Sequence, residues 1–76
     1  MAENLKELIR AKGRTQDWVR NKLNEYGIKR NKSHFNEWCN DRHAPKDEYI
    51  LAVIGDILQV DKNKVMNCFT KYRENG

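Results

Sequence analysis

A single proline in 76 residues, at Pro45, and glycines that never adjoin one another leave this chain few places at which a helix must break. Proline removes a backbone donor and clashes inside a helix, and glycine weakens one. Their scarcity therefore lets stretches stay helical wherever apolar residues recur with a 3.6-residue period. They do recur, so an all-α fold with short connections is expected. A chain of this length makes one domain, spanning 1–76, and buries only about 60% of its unfolded surface. That leaves little room for an enclosed catalytic cavity, and binding is the better default than catalysis.

Five helices are predicted. The first, from about Glu3 to Lys12, lines up Leu5, Leu8 and Ile9 and stops at Gly13, which takes the left-handed C′ conformation at low cost. The second is capped by Thr15, has Asp17 in its first turn and repeats apolar residues at Val19, Leu23 and Tyr26 before Gly27 ends it. Asn31 or Ser33 caps the third, whose apolar side is only Phe35 and Trp38 and whose end is marked by Asn40 and Asp41. The fourth begins near Pro45 to Asp47 and carries Ile50, Val53, Ile54, Ile57 and Leu58, which makes it the expected post of the core. Asp61 caps a fifth, with Val65, Phe69 and Tyr72 facing inward or toward a partner. Fraying is expected at Met1 and Ala2 and after Arg73. No linker, internal repeat or low-complexity stretch interrupts this order.

The net charge of +4 is only a mild hint of a polyanionic partner, but its distribution says more. Residues 10–46 hold ten basic groups against four acids, a net of +6, whereas 1–9 and 47–76 each come to −1. The excess surrounds the second and third helices, as an electrostatic footprint for phosphates would.

Leu5-Lys6-Glu7-Leu8 with Lys12-Gly13, Thr15-Gln16, Val19 and Leu23, Phe35 and Trp38, then Pro45 and Ile50 to Val60-Asp61 form one pattern along residues 4–68. In it the chain resembles the lambda-repressor/Cro-type helix-turn-helix family, often called the XRE family, and especially its short phage-encoded members. The resemblance implies a compact five-helix lambda-repressor-like domain with its helix-turn-helix unit at about 15–40. Two departures stand out. Arg20 occupies the place of the family's usual small residue, and about five extra residues separate Leu23 from Phe35. The second helix is therefore expected to gain a turn, with Tyr26 continuing its stripe, and the connection Gly27 to Arg30 to be lengthened and loosened.

The resemblance further implies that Gln16 and the exposed positions of the third helix lie against the major groove. The chemistry is compatible, since Gln and Asn pair bidentately with adenine, Lys and Arg with guanine, and the groove admits one helix. Candidate base readers are Gln16, Asn31, Lys32, Ser33, His34, Asn36 and Glu37; candidate phosphate binders are Arg14, Lys29, Arg30 and Arg42. The bland alternative for this face is ordinary solvation. Glu37 either accepts from a cytosine or pairs with Arg10 or Arg14. Trp18 covers the core, stacks on a partner or sits in a dimer contact, the first being the simplest reading.

The function expected is a sequence-specific transcriptional regulator, repressor- or Cro-like and of phage or mobile-element type, that binds double-stranded operator DNA as a homodimer. A small reading unit gains specificity by spanning two half-sites, and Met66, Phe69 and Tyr72 are the expected dimer interface. The alternative is an antirepressor that engages another regulator protein through the same surface. No nucleophile-base set, carboxylate pair or phosphate-cradling glycine loop appears, so no enzyme, small-molecule substrate or cofactor is expected. His34, Cys39, His43 and Cys68 have the chemistry of zinc ligands but not the spacing. No apolar run approaches the ~18 residues that span a bilayer and no signal-peptide core is present. With two cysteines read as free thiols, a soluble cytoplasmic protein without membrane contact is expected.

Overall fold

The computed structural model describes residues 4–74, and these are all-helical. Six helices follow one another: α1 Leu5–Ala11, α2 Gln16–Glu25, α3 Lys32–Cys39, α4 Glu48–Leu58, α5 Lys62–Met66 and α6 Thr70–Glu74. Glu3, the expected start of the first helix, lies outside the described residues, as does the fraying expected at Met1 and Ala2. Beyond Arg73, α6 continues to Glu74, and Asn75 and Gly76 lie outside.

Each of the first five helices is started by a short polar side chain whose oxygen accepts from an otherwise unpaired amide of the first turn. Asn4 takes the amide of Glu7 at 2.9 Å, Thr15 that of Trp18 at 3.1 Å, Asn31 that of His34 at 2.7 Å, Asp47 that of Tyr49 at 3.0 Å and Asp61 that of Asn63 at 3.3 Å. Such a cap contributes ~1 kcal/mol. For the third helix this settles Asn31, not Ser33, as the cap.

The first four helices end alike. Past each, one residue takes a left-handed conformation: Gly13, Gly27, Asp41 and Gln59. Its amide, and that of the residue after it, turn back onto the last carbonyls, as in Gly27 to Asn24 (3.0 Å) and Ile28 to Leu23 (2.9 Å), or Asp41 to Trp38 (3.2 Å) and Arg42 to Glu37 (2.9 Å). This is the Schellman pairing. After α2 it carries its usual apolar contact, for Leu23 and Ile28 are both buried. The connection from α2 to α3 is therefore longer than a tight turn but not loose, because Ile28 is anchored in the core. That anchor was not among the expected core residues.

The core gathers Leu5, Leu8 and Ile9 from α1, Val19 and Leu23 from α2, Phe35, Trp38 and Cys39 from α3, and Ile50, Leu51, Val53, Ile54 and Leu58 from α4. Fully burying one such side chain stabilises by roughly 1.5–3 kcal/mol. α2 packs on α1, α3 and α4, and α4 packs closely on α5. Gly55 permits that last approach, since a Cβ there would stand 2.9 Å from the Val60 carbonyl oxygen.

Three expectations are corrected. Tyr26 does not extend the buried stripe of α2: it caps the helix C-terminus, its side chain is exposed, and its hydroxyl donates to Asp56 of α4 at 2.7 Å. The expected fifth helix is two, α5 and α6, divided at Asn67–Phe69, because the chain turns to bury both Val65 and Phe69 against the bundle. Phe69 is fully buried and so cannot supply the dimer surface expected of it, while Tyr72 is half-buried with its hydroxyl donating to the Pro45 carbonyl.

Candidate nucleic-acid interface

α3 is divided cleanly by its own periodicity. Phe35, Trp38 and Cys39 point into the core, with the Phe35 and Trp38 rings edge to face at 6.0 Å, while Lys32, Ser33, His34 and Asn36 are exposed and Glu37 is half-buried. Burial of the Cys39 thiol pushes its pKa up to about 12, so it stays protonated and behaves as an apolar group. The rigid packing of one face is what holds the other face at a fixed angle.

Trp38 also organises polar neighbours along its outer edge. The Arg30 guanidinium stands 5.6 Å from its ring centre and donates to the Lys29 carbonyl at 2.8 Å, and His34 meets the ring edge-on at 5.1 Å. The loop after α3 closes the other side. There the Glu37 carboxylate stands 3.7 Å from His43, not at Arg10 or Arg14, because α3 turns it toward the loop that follows. Between α3 and this loop lies an open cleft of about 580 Å³, lined by Arg30, His34, Trp38, His43, Lys46 and Ile50 among others. Lys46 and His43 were not singled out for the site. The signal for them was the basic sequence around Pro45, whose burial pins the loop beside α3.

The other candidates distribute as follows. Asn31 has its side-chain oxygen engaged as the α3 cap, leaving its amide nitrogen for a partner. Lys32, on the first turn of α3, reaches Asp17 of α2 at 4.0 Å, and Asp17 is also 3.7 Å from Arg20. Arg20, in the place of the expected small residue, is half-buried, and its Nε has no hydrogen-bond partner among the described residues. Gln16 is half-buried at the first position of α2. Lys29 and Arg42 are exposed on either side of α3. Arg14 lines a small surface depression with Gln16, and its guanidinium lies 4.4 Å from the Trp18 ring centre. Trp18 itself is half-buried and packs on the core edge.

Two ties to α6 fix the exit of α3. Asp41 accepts from the Thr70 amide at 3.1 Å and the Thr70 hydroxyl at 2.6 Å, with Arg73 at 3.6 Å, and Tyr72 holds Pro45. Nothing in the sequence pairs these positions, which lie 29 and 27 residues apart.

Among the described residues, no three of His, Cys, Asp and Glu are grouped to hold a metal ion, and no helix is long and apolar enough to cross a membrane. Cys39 and Cys68 are buried, and no disulfide joins them. What the surface offers is a rigid polar helix face between cations, suited to reversible recognition of an anionic, hydrogen-bonding partner. Set against models of protein families, curated protein sequences and solved structures, the chain matches none.

Proposed function

We propose that this chain is a sequence-specific DNA-binding regulator of the lambda-repressor-like helix-turn-helix type, of phage or mobile-element kind, with α3 as its reading helix. The observation that carries the reading is the division of α3: Phe35, Trp38 and Cys39 lock it to the core while Lys32, Ser33, His34 and Asn36 are exposed. Side chains on a fixed helix can present donors and acceptors to base edges at constant geometry, which recognition in the major groove requires. Lys29, Arg30, Arg42 and Lys46 flank the helix and supply phosphate contacts, which position without specifying. Arg30 is braced by Trp38. A homodimer on two half-sites about one helical turn apart supplies the specificity that so small an interface lacks.

The test is selection of duplexes from a randomised pool by the full chain, followed by binding measurements on the selected sequence and a scrambled control. Enrichment of a consensus bound tightly by the native chain and weakly by Asn36→Ala supports the reading. Failure to enrich any sequence, with scrambled DNA bound equally well, overturns it.

A further inference from the structure

We infer that the groove between α2 and the C-terminal end of α4 is a docking site for an extended acidic peptide segment of a partner protein, which places a carboxylate at Trp18 and an adjoining apolar side chain over Ile57. The groove has a volume of about 500 Å³ and shares no lining residue with the cleft beside α3. It leaves the proposed reading helix free, so this inference goes beyond DNA binding.

Charge complementarity names the occupant. The Trp18 ring carries the Arg14 guanidinium at 4.4 Å and the Lys22 ammonium at 5.4 Å, and Lys12 joins them on the groove wall. A guanidinium held against an aromatic face loses little freedom on binding and offers its planar fork to a carboxylate. Glu25 and Asp56 also line the groove, each already engaged, Glu25 by Lys22 at 3.7 Å and Asp56 by the Tyr26 hydroxyl at 2.7 Å. Ile57, half-buried, supplies apolar surface in the wall. A nucleic-acid backbone is negative along its whole length and would meet Glu25 and Asp56 unfavourably. A peptide that sets a carboxylate next to an apolar side chain matches the cations around Trp18 and the apolar surface of Ile57.

The last turn of α2 builds the groove: Lys22 and Glu25 lie in it, Tyr26 caps it, and the Tyr26–Asp56 hydrogen bond closes a wall against α4.

The test is an NMR titration of the full chain, isotopically labelled, with a capped hexapeptide of sequence GELELG. Saturable shifts centred on the Trp18 indole and on Lys12, Lys22 and Ile57, with a Kd of about 1 mM or tighter, support the proposal. Lys12→Gln removes an exposed charge and is expected to weaken the peptide about 3-fold while leaving the affinity for selected DNA unchanged. Three results overturn the proposal: no saturable shift, equal binding of the GQLQLG peptide, or peptide shifts centred on α3. Random-sequence duplex DNA that moves the Trp18 and Ile57 resonances more than the peptide does also overturns it, by making the groove a phosphate surface.

Discussion

Replacing Asp41 separates two things that one residue does at the end of α3. Its backbone is left-handed, with φ 61°, at a C′ position that glycine fills after α1 and α2. Its carboxylate caps α6, taking the amide and hydroxyl of Thr70 at 3.1 and 2.6 Å, with Arg73 at 3.6 Å. In Asp41→Ala the lost cap costs ~1 kcal/mol. The lost charge-assisted hydrogen bond costs about 1.5 kcal/mol, the low end of its range because Thr70 is exposed. An alanine forced left-handed adds about 1 kcal/mol. The sum, about 3–4 kcal/mol, is a large share of the roughly 4–11 kcal/mol a chain of this size commands. Asp41→Gly loses the same contacts without the backbone strain, so it should be about 1 kcal/mol milder, a difference of roughly 4–8 °C in melting temperature. Urea and thermal unfolding followed by circular dichroism read both numbers, and a double-mutant cycle with Thr70→Val should give a coupling above ~0.5 kcal/mol. Glycine destabilising as much as alanine would remove the backbone half of the argument. Strict additivity with Thr70→Val would remove the capping half.

Four further outcomes are expected. Phe35→Ala and Trp38→Ala should each cost on the order of 3–5 kcal/mol and unfold or nearly unfold the chain, and little-changed melts in both would show that α3 is not anchored as described. Gly55→Ala should lower the melting temperature even though alanine favours helices by about 1 kcal/mol, because its Cβ meets the Val60 carbonyl oxygen at 2.9 Å; a rise would mean the α4–α5 approach relaxes freely. Lys29→Ala or Arg42→Ala should reduce the slope of log K against log salt by about 1 on selected and scrambled DNA alike, whereas Lys32→Ala should cost ~1–3 kcal/mol on the selected sequence alone; equal effects on both DNAs from all three would contradict the division of roles. Finally, the folded chain keeps the Cys39 proton to about 12 while the unfolded thiol gives it up near 9.0, so the folded state binds more protons between those values. That contribution to stability is whole below the lower value and is lost as pH rises toward the upper one. Tyr26, raised by its hydrogen bond to Asp56, and Tyr72, raised by burial, act in the same sense, so the readout is the shallower alkaline loss of stability in Cys39→Ala than in the native chain.

The helical class, the caps at Thr15 and Asp61, and the inward faces of α1, α3 and α4 were legible in the residues because each follows from local chemistry: a capping oxygen, a left-handed glycine, or apolar spacing within a few turns. The division of α3 into core and solvent faces was legible for the same reason. Sequence by itself thus determined the first four helices and the sides that α1, α3 and α4 bury, but not the break between α5 and α6. Tertiary structure alone decided where the ends of those elements meet. Tyr26 looked like core by periodicity, yet it stands outside and binds Asp56, 30 residues away. Ile28 looked like turn, yet it is buried. Phe69 and Tyr72 could face inward or toward a partner by periodicity, and packing decided that Phe69 closes the core and that the Tyr72 hydroxyl holds Pro45. Asp41 looked like a simple helix stop, yet it caps α6 from 29 residues away. Periodicity reports a side chain's direction relative to its own helix, and it carries no information about which distant group lies in that direction. Only packing, which sets the distances between elements, could select those partners.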